Sequence, residues 1–298
     1  MNKVFSYMVV FICLITLSLG ILSLKNDVVT SQAGRAGKMM DSPFVAHPTH
    51  IIFLWLENQD FDAIIGNKNA PFINSLVQKG TLFTNFHANT HPSYPNYVDF
   101  FAGDPNGIKD DACIEGDPLS TPNLYTILNA VGKSFAWYSE DLPTTGSKDC
   151  VDEYYVAKHN PTPIFKNVPG KANKRFVDFP RNYDKLENVV CISPNILNDM
   201  HSAPVQRGDL WTKEHLTRLI NWCISSNNIF VIYFDESGTD PNNRIPVIAI
   251  GQDVKANYQT DAYYDHFSWT KTIDAMFSTR DNWTDSVANA KLITGCWK

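Results

Sequence analysis

His50-Ile51-Ile52-Phe53-Leu54-Trp55-Leu56 is apolar from Ile51 to Leu56 and ends at Glu57-Asn58. A half-exposed strand alternates apolar and polar side chains, whereas a strand covered on both faces is apolar throughout. The stretch therefore predicts a central strand of a sheet buried between helices. A second run of the same kind, Ile229-Phe230-Val231-Ile232-Tyr233-Phe234, ends at Asp235-Glu236. Further strands are predicted over 81–86, 134–139, 189–192 and 245–250. Helical patterns separate them. Pro71 to Lys79 is closed by Gly80, and another segment is opened by Thr121-Pro122 and closed by Gly132. From Asp209 to about Ser225, Leu216, Leu219, Ile220 and Cys223 share one face, and His266 to Phe277 forms the last helix. Strands alternating with helices predict an α/β fold with a mostly parallel central sheet flanked by helices on both faces.

The chain has 298 residues, 44% of them hydrophobic, which suits one large domain with a core of its own. Its net charge of −6 and the lack of a basic run exclude nucleic acid as an expected partner. Lys3 precedes an apolar run to about Leu24, so residues 1–25 read as a signal peptide or N-terminal anchor. Residues 26–47 read as a linker and 48–298 as a single domain, in which 140–188, rich in Pro, Asn and Lys, could form a cap. The expected location is secreted or periplasmic, with membrane contact only through the N-terminal segment if it is uncleaved. Six cysteines occur and no C-x-x-C. Export makes disulfides plausible, and Cys113 with Cys150, both in polar loop-like segments, is the favoured pair. Cys191 and Cys223 sit in apolar runs and read as buried thiols.

Ligands in open parallel sheets bind beyond the carboxyl ends of the strands. Glu57-Asn58 and Asp235-Glu236 follow the two most apolar strands, and all four supply hard oxygen ligands. Such a set suits a divalent cation such as Ca²⁺, Mg²⁺ or Mn²⁺, with Zn²⁺ open if histidine joins. The loop after the 81–86 strand carries His91-Pro92-Ser93-Tyr94-Pro95-Asn96-Tyr97. Pro95 is expected to open a helix, leaving Ser93 in the turn before it, near the positive end of the helix dipole. There Ser93 is either a capping residue or a nucleophile facing an anionic group. His159, in Lys158-His159-Asn160-Pro161, and His201, in Asn198-Asp199-Met200-His201, are candidates to bind phosphate or protonate a leaving group. A triad-type serine hydrolase is disfavoured because no G-x-S-x-G is present.

In that order, Leu56-Glu57-Asn58-x-x-Phe61-Asp62, His91-Pro92-Ser93-x-Pro95-Asn96-Tyr97, the Lys158 tetrad, the Asn198 tetrad and Phe234-Asp235-Glu236 resemble the phosphoesterase family. That family holds secreted acid phosphatases and phosphatidylcholine-type phospholipases C, and belongs to the alkaline phosphatase superfamily. The resemblance covers roughly residues 48 to 278. It implies an alkaline phosphatase-like fold, Ser93 as the nucleophile, and a metal ion held by Glu57, Asn58, Asp235 and Glu236 beside Ser93. It also implies His159 and His201 on the phosphate and Asp199 orienting the site. The chain departs from the family pattern at Thr162 and at Ala203. The implied function is a metal-dependent acid phosphatase acting on phosphomonoesters through a phosphoserine. Its substrate would be a phosphorylated small molecule or a phosphoinositide or phospholipid headgroup. The alternatives are a phospholipase C, for which Phe165 and Val168 could supply an apolar rim, and a secreted metal-binding module without activity.

Overall fold

The computed structural model describes residues 44–114, 116, 118–279 and 283–298. The expected N-terminal signal and most of the expected linker lie outside the described residues. The chain begins with β1 (His50–Leu56), α1 (Phe61–Ile64), α2 (Pro71–Val77), β2 (Thr81–Phe83) and α3 (Ser93–Ala102). It continues through α4 (Leu124–Ala130), β3 (Phe135–Ser139), β4 (Val151–Asp152), β5 (Tyr155–Val156) and β6 (Asn173–Arg175). The remainder comprises β7 (Val189–Ser193), α5 (Val205–Ser225), β8 (Asn228–Phe234) and β9 (Val247–Ile250), then β10 (Tyr258–Thr260), α6 (His266–Phe277) and α7 (Asp285–Asn289).

Eight strands form one sheet in the order β10-β2-β9-β8-β1-β7-β3-β6. Every neighbouring pair is parallel except the two made by β9, which is antiparallel to both β2 and β8. β1 and β8, the two runs read as doubly covered, are adjacent at the centre and fully buried. Phe53 and Trp55 point to the face covered by α3 and α6, where Phe53 meets Phe100 and Trp269 edge-on. The opposite face of β1, carrying Ile52, Leu54 and Leu56, is equally closed to solvent. The 140–188 excursion is woven into this frame. Its β4–β5 hairpin stands apart, but β6 joins the sheet edge beside β3.

Three local expectations shift. Ser93 is itself the first residue of α3, Pro92 stands at the N-cap position without a side-chain capping bond, and Pro95 stands within the first turn. Proline is tolerated there because the first N–H groups of a helix have no acceptor in any case. The helix expected to open at Thr121-Pro122 opens at Asn123 instead. Asn123 accepts the Thr126 N–H at 3.1 Å, and Thr126 Oγ1 accepts the Asn123 N–H at 3.0 Å, a reciprocal cap that Pro122 cannot provide. The strand expected over 81–86 is shorter, because beyond Phe83 the pairing breaks into isolated bridges, of Phe86 to Tyr264 and of His87 to Arg244. Cys113 and Cys150 form the expected disulfide, while Cys191, Cys223 and Cys296 are buried free thiols.

Trp55 holds the centre. Its ring stacks on Tyr97 at 4.4 Å and meets Tyr233 and Phe100 edge-on at 4.7 and 5.0 Å. Trp55→Ala is expected to cost about 3–5 kcal/mol of stability, the range for truncating a fully enclosed aromatic. Urea unfolding of the two proteins checks this, and a loss below about 1 kcal/mol would contradict such enclosure.

Candidate active site

The parallel register of β1 and β8 sets Leu56 beside Phe234. The next residue of each strand, Glu57 and Asp235, therefore emerges side by side at the carboxyl edge, one strand spacing apart. Backbone bonds fix both. The Asp235 N–H donates to the Leu56 carbonyl at 3.2 Å, and the Glu57 N–H donates to the Asp199 carbonyl at 2.8 Å. Asn58, expected as a ligand, takes part through its main chain, donating its N–H to Asp235 Oδ1 at 2.9 Å. Close backbone approach keeps this edge compact: a Cβ on Gly238 would lie 2.9 Å from the Asn58 carbonyl oxygen.

Ser93 Oγ enters from the start of α3 and lies 3.1 Å from Glu57 Oε2 and 3.1 Å from Glu236 Oε1. A hydroxyl has one proton, so it cannot donate to both carboxylates. The remaining close oxygen pair is relieved only if one carboxyl is protonated or a cation sits among them. Tyr97, one helical turn after Ser93, donates its hydroxyl to Glu57 Oε1, and His91 Nδ1 pairs with Glu236 Oε2. Asp235 Oδ2 is buried with no hydrogen-bond partner.

The second half of the site comes from the turn after β7 and from the excursion. His159 is buried, with Nδ1 3.0 Å from Asp199 Oδ2 and Nε2 3.3 Å from Glu57 Oε1. Both distances lie within ion-pairing range, but neither contact is angled as a hydrogen bond. Asp199 Oδ1 accepts the His201 N–H at 2.8 Å, and the two imidazole rings are 5.7 Å apart. The turn carrying these groups bends through Met200 at a φ of 83°, in the left-handed region. Met200 packs onto Gly208 of α5, where a Cβ would fall 2.5 Å from Met200 Cγ. Lys158 Nζ bridges Asp111 Oδ2 at 2.7 Å and His201 Nε2 at 3.3 Å.

Burial dominates the electrostatics. Glu57 is pushed well above the usual carboxylate range by burial, then by the charges of Asp235 and Asp199. Burial and the Glu236 charge lift Asp235 to about 7, burial lifts Glu236 to about 7, and burial lifts Asp199 to about 8. His159 is pushed well below its usual value by burial and by the Lys158 charge. Burial pulls Lys158 down, but Asp111 and the site carboxylates more than offset it, leaving a secure cation. Crowded, desolvated carboxylates with an orphaned oxygen are what a divalent cation would relieve, so these residues fit one. Glu57, His159 and His201 also bring ligand atoms within 4.8 Å of one another. Lys158 beside His201 opposes a cation there and favours an anion.

Of the residues singled out in the sequence, Glu57, Ser93, Asp235, Glu236, His159, Asp199 and His201 converge. Sequence reading placed His91 on a strand-end loop, and Tyr97 and Lys158 within motifs, without giving them a role at the site, and it did not single out Asp111. Tyr97 is four residues after Ser93 on the same helix and was findable by that spacing. Lys158 precedes a candidate histidine, whereas Asp111 sits in a polar loop with nothing to distinguish it. Phe165 and Val168 are buried in the main core, so they form no rim at the site.

Comparison with known proteins adds an independent line. The Phosphoesterase family model matches residues 67–280. The chain is 36% identical over 251 residues to a phosphatidylinositol-3-phosphatase of Mycobacterium tuberculosis, covering 83% of this chain and 82% of that protein. It is 30% identical over 243 residues to an acid phosphatase of Aspergillus fumigatus, covering 74% of this chain but 53% of that protein. The chain thus spans little more than half the length of its fungal relative. Among solved structures, an alkaline phosphatase superfamily protein from Vibrio parahaemolyticus superposes with a TM-score of 0.55 at 11% identity, covering 79% of this chain and 68% of that one. The lipoteichoic acid synthase LtaP from Listeria monocytogenes gives a TM-score of 0.58 at 11% identity, covering 82% and 76%. At such identities these likenesses establish the fold.

The raised carboxylates predict how metal-free protein responds to pH. Unfolded, such groups ionise near 4, whereas folded Asp235, Glu236 and Asp199 release protons at about 7, 7 and 8. From pH 6.5 to 8.5 the folded state therefore binds more protons than the unfolded one, and stability falls as pH rises. His159, His201 and His266, whose values burial lowers, are neutral in both states across most of this window and add little slope. The melting temperature of the metal-free protein is expected to drop between these limits. A saturating divalent cation is expected to raise it more at pH 8.5 than at pH 6.5. A flat profile would show that the four carboxylates are not the crowded group described.

Proposed function

Since this chain belongs to the phosphoesterase family, we propose that it is an exported acid phosphatase that hydrolyses phosphomonoesters through a phosphoserine at Ser93. The carrying observation is Ser93 Oγ held 3.1 Å from two carboxylates at the start of α3. The helix dipole favours negative charge at that point. The Cys113–Cys150 disulfide and the apolar N-terminal run support export, since disulfides persist in oxidising compartments. No helix among the described residues is long and apolar enough to cross a membrane.

Ser93 Oγ attacks phosphorus, the ester P–O bond breaks, and the alcohol leaves with a proton. The Ser93 proton has Glu57 and Glu236 within reach. Water then attacks phosphoserine 93, inorganic phosphate departs and the hydroxyl is restored. A phosphate dianion entering among Glu57, Asp199, Asp235 and Glu236 meets strong repulsion, and Lys158 alone does not balance it. Glu57, Asp235, Glu236 and Ser93, with Asn58 alongside, would hold a divalent cation that supplies charge neutralisation and acidifies a hydroxyl. Lys158, His159 and His201 form the facing wall, which receives phosphate oxygens. Asp199 positions this wall with its carboxylate, Oδ2 lying 3.0 Å from His159 Nδ1 and Oδ1 accepting the His201 backbone N–H at 2.8 Å. Proposed substrates are phosphorylated small molecules and phosphoinositide headgroups, the latter in keeping with the name of the mycobacterial relative.

Ser93→Ala is expected to lower turnover of p-nitrophenyl phosphate on the order of a thousandfold or more while leaving the circular dichroism spectrum unchanged. Turnover close to wild type would overturn the phosphoserine route. Glu57→Ala and Asp235→Ala are each expected to lose tightly held metal. Elemental analysis of the purified variants measures this, and unchanged metal content would remove those residues as ligands.

A further inference from the structure

Residues 111–114 and 148–158 face each other across a cavity of about 570 Å³, and the Cys113–Cys150 disulfide ties its two walls together. That volume lies in the range of small-molecule sites. Three residues belong both to this cavity and to the surroundings of Ser93. Tyr94 follows the serine, and Lys158 precedes His159 and contacts His201. Asp111 joins these two, accepting the Tyr94 N–H at 3.0 Å and the Lys158 ammonium at 2.7 Å. The rest of the lining is mostly apolar, with Ala112, Ile114, Val156 and Ile164 among it, and the exposed Lys148 is its one other charged residue. A space that is charged where it meets the phosphate wall and mostly apolar in the rest of its lining matches an amphiphile with phosphate at one end.

We infer that this cavity receives the organic half of the phosphomonoester and selects for an apolar group, aromatic or acyl. The inference rests on the phosphatase reading for the identity of the charged end. It goes beyond that reading by assigning the leaving group a site between two loops remote in sequence. The disulfide keeps the loops at a fixed separation, so the cavity exists before substrate arrives and little ordering is lost on binding.

Binding and turnover test this separately. Phenyl and 2-naphthyl phosphate release alcohols of similar acidity, so a difference between them reports the cavity rather than the chemistry. Ser93→Ala protein loaded with its metal is expected to bind 2-naphthyl phosphate on the order of tenfold more tightly than phenyl phosphate, read by titration calorimetry. Adding Ala112→Trp, which fills the space, or Val156→Asp, which charges its wall, is expected to bring the ratio close to one. Equal binding of the two esters, or a preference that survives both substitutions, would overturn the assignment. Wild-type kcat/KM for dioctanoyl phosphatidate, 2-naphthyl phosphate and glycerol 2-phosphate distinguishes the sources of the apolar group. Preference for phosphatidate assigns an acyl chain, preference for the naphthyl ester assigns an aromatic alcohol, and no preference over glycerol phosphate counts against both. If no ester is hydrolysed but the binding preference stands, the phosphatase reading fails and the cavity assignment survives.

Discussion

The in-register pairing of β1 with β8 forces two carboxylates together at the buried edge of the sheet. Leu56 and Phe234 are partners, so Glu57 and Asp235 have no freedom to separate without unpairing the central strands. Both are fully buried, and desolvation makes their joint ionisation costly. Most of the surrounding structure answers that constraint. Tyr97 donates to Glu57, the Asn58 N–H donates to Asp235, and the start of α3 brings a hydroxyl and a positive dipole end to the same point. Those responses leave one Asp235 oxygen without a partner. A shortage of positive charge is thus built into the scaffold, among the residues that would suit a cation.

The site holds its geometry because its supports are aromatic and dry. Trp55 lies two residues before Glu57 and stacks on Tyr97, whose hydroxyl reaches that glutamate. Tyr97 also lies parallel to His159 at 5.7 Å, so one aromatic column passes from the core into the site. Beneath Asp235, His266 Nε2 bonds its carbonyl at 2.7 Å and His266 Nδ1 bonds the Tyr233 hydroxyl at 2.5 Å. These rings exclude water, which strengthens the electrostatics that shift the carboxylates. Packing that stabilises the sheet and burial that strains the site are therefore the same contacts.

The sequence displayed the parts of this arrangement that follow from one-dimensional rules. Apolar runs without alternation identified β1 and β8, and the residues immediately after them come together in the candidate site, because the carboxyl ends of parallel strands lie on one edge. The Cys113–Cys150 pair was also legible, from two cysteines in polar segments. Less visible were features made by contact between distant segments. Nothing local reveals that β6 leaves a Pro- and Asn-rich excursion to extend the sheet, since its three residues, Asn173–Arg175, carry no strand pattern. The Asp111–Lys158 pair spans 47 residues and joins two loops, so no periodicity announces it. Cap positions slipped by one or two residues where side-chain bonds, as at Asn123, outweighed proline's preference for the first turn.

Lys158 shows what such long-range pairings contribute. A lone cation beside four carboxylates could collapse onto the nearest one and block the site. Asp111 prevents this by holding the ammonium from the far side at 2.7 Å, and His201 limits its approach at 3.3 Å. Held in that way, the lysine is a fixed charge beside His201. The cost of orienting it therefore falls during folding. The same aspartate accepts the Tyr94 N–H, so the position of the cation is referred to the helix that carries Ser93. One carboxylate in a featureless loop thereby links the start of the helix that carries Ser93 to Lys158, across 17 residues on one side and 47 on the other.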